Sequence, residues 1–121
     1  MGIKQLEAEY TYEYDLDVVN IKVKKDYVYR ESVDFDVGVF LDFDNDDFPV
    51  NLEIIDASKR MNVDKKFLIN PSGNVNIYIN SSLIELKVQF ENNGENHSLE
   101  YLNEHDANLK ITDSETQLAL V

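Results

Sequence analysis

The sequence predicts a mainly β chain: a β-rich α+β fold of antiparallel meander sheets, sandwich- or roll-like, with one short helix near 56–62. Three observations point there. Valine, isoleucine, tyrosine and phenylalanine dominate the apolar residues, whereas alanine supplies only four of 121. β-Branched and aromatic side chains suit a pleated, half-buried surface, and scarce alanine removes the best helix former. Apolar and polar residues alternate with period two in Tyr10-Thr11-Tyr12-Glu13-Tyr14, in Val19-Asn20-Ile21-Lys22-Val23, and in a longer run carrying Val33, Phe35, Val37, Val39, Leu41 and Phe43. Such alternation gives a strand one buried and one wet face. Between these runs stand turn formers: Asn45-Asp46-Asp47, Asn70-Pro71-Ser72-Gly73, Ser81-Ser82, Asn92-Asn93-Gly94 and Asp113-Ser114.

Read in chain order, strands are expected near 8–14, 18–24, 27–43 (bent or interrupted), 48–55, 74–80, 83–91, 96–102, 108–112 and 116–121, with 65–69 as a further candidate. The helix has Asp56 as its N-cap and Ala57-Ser58-Lys59-Arg60-Met61 as its body. Its cationic pair comes late, where the helix dipole favours it, and Asp56 and Arg60 are spaced i,i+4 for mutual support. One domain spans 1–121, with a hairpin-and-helix unit over 1–62 and a further β-meander over 63–121. Ten of the 13 asparagines fall in residues 62–121, and strands 74–80 and 96–102 read as edges open to pairing.

Twenty-four acids against 11 bases leave a net charge of −13. That opposes nucleic acid and anionic membrane as partners. No apolar run reaches the ~20 residues that cross a bilayer as a helix, and Met1–Glu7 has no apolar leader, so a cytoplasmic location is expected. Without cysteine there is no disulfide, thiol nucleophile or thiolate metal site.

The sharpest local pattern is Asp42-Phe43-Asp44-Asn45-Asp46-Asp47, with Glu53 eleven residues after Asp42, the spacing of an EF-hand calcium loop. Asp47 stands where that loop needs glycine, Pro49 follows, and the flanks read as strands. A hairpin is the better reading. Centred on Asn45-Asp46, it pairs Phe43 with Phe48, Leu41 with Val50, Val39 with Leu52 and Val37 with Ile54, apolar on both sides throughout. In that register Glu53 faces Gly38, roughly 13 Å along the ladder from Asp42. Asp42, Asp44, Asp46 and Asp47 then remain only as a weak, wet divalent-cation site at the tip.

Other chemistry is sparse. His97 and His105 are the two histidines, with Glu95, Glu100, Glu104 and Asp106 as nearby oxygen donors; both read as solvated loop residues rather than ligands. Ser58-Lys59 is no nucleophile–base pair, since adjacent helical residues point about 100° apart. Asn80-Ser81-Ser82 and Asn96-His97-Ser98 match the glycosylation pattern, which carries no meaning without a secretory signal. Six aspartates in 34–47 have no base among them and read as a solvated face. If they repel one another, salt should stabilise the fold and mild acid should be neutral or helpful. Pairing with Lys22, Lys24, Lys25 and Arg30 would reverse both signs.

Tyr12-Glu13-Tyr14-Asp15-Leu16-Asp17-Val18-Val19-Asn20-Ile21, Val37-Gly38-Val39-Phe40-Leu41-Asp42-Phe43-Asp44 and Leu52-Glu53-Ile54-Ile55-Asp56-Ala57-Ser58-Lys59-Arg60 resemble the family catalogued as domain of unknown function 2283. The likeness covers about residues 10–62 and departs at Asp47 and near Asn51, where the family usually has glycine. It implies a small prokaryotic β-rich protein with no established activity. The expectation is therefore a non-enzymatic, cofactor-free interaction or oligomerising module. The alternatives are neutralisation of a basic, toxin-like protein and weak divalent binding at Asp42–Asp47.

Overall fold

The computed structural model describes residues 3–104 and 114–120. Nine strands dominate: β1 (Lys4–Glu13), β2 (Val18–Val23), β3 (Tyr29–Asp36), β4 (Val39–Asp44), β5 (Pro49–Ile55), β6 (Ser72–Ile79), β7 (Leu83–Asn92), β8 (Glu95–Glu104) and β9 (Ser114–Leu120). One helix, α1 (Ala57–Met61), and a 3₁₀ turn, Lys65–Leu68, lie between β5 and β6. The mainly β class is thus observed. The expected strand over 27–43 is two strands, broken at Val37-Gly38, where Gly38 has φ 95°. The candidate strand at 65–69 is the 3₁₀ turn instead, anchoring Phe67 and Leu68 in the core. The strand expected at 108–112 lies outside the described residues.

The strands form one sheet in the order β3-β4-β5-β2-β1-β9-β6-β7-β8, not a meander and not two stacked sheets. β3, β4 and β5 run as consecutive hairpins and β2 returns beside β5, a Greek-key arrangement. All neighbours are antiparallel except β1 and β9, which pair parallel with Leu6 beside Leu118 and Ala8 beside Leu120. β6 is therefore covered on both sides, by β7 and β9. The expectation that strand 74–80 is an open edge is corrected: the last strand folds back to fill that place. The actual edges, β3 and β8, curl toward each other until Asn103 Nδ2 donates to the Asp34 carbonyl at 2.6 Å and the Phe35 and Tyr101 rings lie 6.4 Å apart.

Inward-facing residues from every part of this nearly closed sheet make one cluster, including Ile21, Leu41, Phe43, Leu52, Ile54, Leu86, Phe90 and Leu118. On β4 and β5 the inward residues are those the alternation assigns, Val39, Leu41, Phe43, Val50, Leu52 and Ile54, all fully buried. Their pairing differs. Val39 faces Ile54 and Leu41 faces Leu52, two residues away from the expected register, and Phe43 faces Pro49 across a bulge, one residue away from it. The turn is longer than two residues, because the Asp44 carboxylate accepts the Asp46 and Phe48 amides, both at 2.9 Å. A shift of two preserves the faces while changing every partner. Phe48 consequently leaves the core, half-buried with the Lys4 ammonium 3.5 Å from its ring centroid. Val37 also leaves, 90% exposed at the β3–β4 turn.

Candidate functional site

One end of the sheet gathers the β1–β2 turn, the β3–β4 turn, α1, the 3₁₀ turn and the β7–β8 turn. Here α1 is set in place from a distance. Asp17, in the β1–β2 turn, has φ 56°, which aims its carboxylate at the first turn of the helix. Its Oδ1 accepts the Ser58 amide at 3.0 Å and the Tyr12 hydroxyl at 2.7 Å, and its Oδ2 accepts the Ser58 hydroxyl at 2.7 Å. The Ala57 amide donates to the Asp17 carbonyl at 3.0 Å. Asp56, the expected cap, is itself left-handed (φ 57°) and makes no side-chain cap bond. Burial alone would raise the Asp17 carboxyl, but the Ser58 and Tyr12 hydroxyls, the Ser58 amide and the charge of Lys65 outweigh it and hold it below the ordinary range. The Ser58 hydroxyl is thus committed to Asp17, and Ser58-Lys59 presents no activated nucleophile.

Arg60 fastens the other side of α1. It donates to the Ile55 carbonyl at 2.7 Å, to the Val37 carbonyl, to Asp36 Oδ2 at 3.0 Å and to the Tyr101 hydroxyl at 3.4 Å. Its carboxylate partner is Asp36, not Asp56, because the β3–β4 turn comes up beside the helix. The Val37 amide and Arg60 together hold the exposed Asp36 carboxyl below its usual range. Arg60→Ala should cost about 2 kcal/mol, since two carbonyls and the seam contact to β8 lose their donor. Arg60→Lys should recover little of this, lacking the guanidinium fork; a denaturant titration of both variants checks it.

Between α1, the 3₁₀ turn and the β7–β8 turn lies an open groove of about 690 Å³, lined by Ser58, Lys59, Val63, Lys66, Phe67 and His97 among others. The Asn93-Gly94 apex of β7–β8, with both φ values positive, makes a tight two-residue turn. It holds Asn92 so that its side-chain amide donates to the Phe67 and Ile69 carbonyls at 3.0 and 3.1 Å. Those bonds fix the 3₁₀ turn against β7. His97 points inward from β8, its ring edge-on to Phe67 at 4.7 Å between centroids and 3.6 Å from Glu95. It is a groove wall rather than a solvated loop residue. His105 and Asp106 lie outside the described residues. Period-two alternation placed His97 at an inward position of β8, and this was the signal that could have marked it; its facing surface, 30 residues earlier in the chain, had none.

The acidic loop sits at the opposite end of the sheet. Asp44 and Asp47 are 5% and 0% exposed, so the solvated-face expectation fails for them. Asp44 caps the turn amides, and Asp47 pairs with Arg30. Asp42 accepts from the Ser32 hydroxyl and, at 2.9 Å, from the Asn51 side-chain amide; Asp46 is exposed. In the observed register Glu53 faces Phe40, not Gly38, which brings it to roughly 7 Å along the ladder from Asp42. What occupies Asp42, Asp44 and Asp47 is therefore protein donors. Among the described residues no group of three or more histidines, aspartates or glutamates is arranged to hold a metal ion.

Two of the six aspartates in 34–47 are ion-paired, Asp36 with Arg60 and Asp47 with Arg30. Lys22 and Lys25 instead lie over the Tyr27 and Phe48 rings. Mutual repulsion among these aspartates would raise their carboxyls; Asp36 is instead held low, because Val37 and Arg60 hydrogen-bond its charged form. The net −13 still disfavours the compact state, so melting temperature should rise with added salt. A fall would show that the pairs dominate.

No helix among the described residues is long and apolar enough to cross a membrane. Comparison with protein-family models, with curated proteins and with solved structures finds no match, so the resemblance of residues 10–62 rests on the quoted residues alone.

Proposed function

We propose that this protein is a non-enzymatic interaction module that holds a segment of a protein partner in the groove between α1 and the β7–β8 turn. The observation that carries this reading is the groove itself. Its volume of about 690 Å³ is in the range of sites that enclose a ligand, and it combines apolar walls from Val63 and Phe67 with polar rims. Its walls are held by Asp17, Arg60 and Asn92, so a partner would meet a preorganised surface, which limits the ordering cost of binding. Tyr14, Leu16, Val37 and Ile69, all substantially exposed, belong to turns at this same end. Among the described residues outside the groove no titratable cluster is arranged for acid–base work: Asp17 is saturated with donors, and the acidic loop is spent on its own turn.

Panning a random peptide library against the whole chain tests the reading. Selected peptides should bind the wild type and lose affinity in Val63→Glu, which places a charge in the groove. Peptides that bind Val63→Glu equally well would place the interaction elsewhere and remove the support for this reading. A second reading, capture of a basic protein, is favoured by Glu7, Glu9 and Glu13, which share the exposed outward face of β1. In that case Glu7→Gln with Glu9→Gln, and not Val63→Glu, should abolish binding, and affinity should fall steeply with salt.

A further inference from the structure

The distribution of unpartnered cations adds a chemical specification to the groove, and it rests on the binding reading above. Most of the described basic side chains are engaged. Arg30, Arg60 and Lys87 are ion-paired. Lys4, Lys22, Lys25 and Lys65 lie over aromatic rings. Of the described lysines and arginines, Lys24, Lys59 and Lys66 make no side-chain hydrogen bond, ion pair or ring contact, and two of these three line the groove. In a chain of net charge −13, that is the opposite of what a uniform acidic surface would place along a groove of this size.

We propose that the groove receives an acidic, extended peptide segment, with a carboxylate of the segment set between Lys59 and Lys66 and an adjacent apolar side chain against Val63 and Phe67. Lys59 leaves α1 and Lys66 leaves the 3₁₀ turn, so the two ammonium groups come from separate elements that Asp17 and Asn92 hold in place. A single carboxylate between them gains two charge-assisted bonds without any rearrangement of the frame. Asp64 and Glu95 also line the groove. They balance the two lysines in formal charge and would repel a segment carrying carboxylates along its whole length. The segment that fits has acidic groups spaced by uncharged ones, as an extended strand supplies at alternate positions. The rest of the acidic surface discourages the same peptide from binding elsewhere, which turns the charge of the chain into a selectivity device.

The test uses the whole chain and blocked, fluorescein-labelled decapeptides in which leucine alternates with glutamate, glutamine or lysine, read by fluorescence polarisation. A further glutamine peptide with a free C-terminus separates a terminal carboxylate from a side-chain one. The glutamate peptide should bind about tenfold or more tightly than the blocked glutamine peptide. Lys59→Glu combined with Lys66→Glu should remove that advantage and leave the glutamine peptide's affinity within about twofold. Lys59→Arg with Lys66→Arg should keep it. A glutamate peptide no tighter than glutamine, or indifferent to the double charge reversal, overturns the inference. If the glutamine or lysine peptide binds best and Val63→Glu abolishes it, the groove reading stands and only the acidic specificity falls. If no peptide binds, both fall.

Discussion

Asp17→Ala is expected to destabilise the fold by roughly 3–5 kcal/mol, because it strands three donors at once. The Ser58 amide, the Ser58 hydroxyl and the Tyr12 hydroxyl all end on this carboxylate, and Asp17 itself is only 6% exposed. Alanine would in addition occupy a left-handed backbone position that aspartate and asparagine tolerate better. Asp17→Asn separates these effects: it keeps the backbone preference and one acceptor oxygen, so its cost should be clearly smaller. The pH response has a definite sign. A carboxyl held below its ordinary value contributes stability that is complete above the unfolded value, about 3.9, and is lost as pH falls through the folded one. The wild type should therefore lose stability steeply below about pH 4, and Asp17→Asn should lose less over the same interval. Chemical denaturation at pH 7 and pH 3.5 measures both quantities; equal pH dependence in the two proteins would contradict this account of α1.

The second large effect belongs to the core. Leu52 is fully buried and lies directly between Ile21 on β2 and Leu41 on β4. Leu52→Ala should cost about 2–5 kcal/mol, since rigid strands on both sides cannot collapse into the space. Its chain neighbour provides the control. Asn51 faces outward, donates to Asp42 at 2.9 Å and keeps its buried Oδ1 without a hydrogen-bond partner. Asn51→Ala loses one hydrogen bond but also removes that orphaned acceptor, so its net cost should stay well under 1 kcal/mol. Similar urea midpoints for the two variants would show that the facing of β5 is wrong.

These two residues also mark what the sequence could and could not disclose. Leu52 was legible, because alternation along one strand fixes which side chains face the core whatever the partner. Its partner was not legible. Pairing Phe43 with Phe48 satisfied every apolar match, and the observed register, displaced by two, satisfies the faces equally well. What decides between them is the Asp44 carboxylate, which lengthens the turn by accepting the Asp46 and Phe48 amides. Asp17 was hidden for a different reason. A local reading gives the N-cap of α1 to Asp56, the adjacent residue, whereas the bonds come from 41 positions earlier, through a β1–β2 turn that only the folded sheet brings alongside. The groove has the same origin. Lys59, Lys66 and His97 each had an unremarkable local context, and their assembly depends on the Asn93-Gly94 turn and the bonds of Asn92. The parallel return of β9 beside β1, which makes β6 interior, likewise has no counterpart in turn chemistry or periodicity.

Asp17, Arg60 and Asn92 matter to function, on this account, because they hold the walls of one binding groove. Amide hydrogen exchange of the whole chain, with and without the glutamate–leucine decapeptide, measures that most directly. The account predicts added protection at 58–67 and 92–97, present in the wild type and absent in Lys59→Glu/Lys66→Glu. Protection confined to β1 or to the Asp44–Phe48 turn, or protection at the groove that survives the double charge reversal, would contradict it.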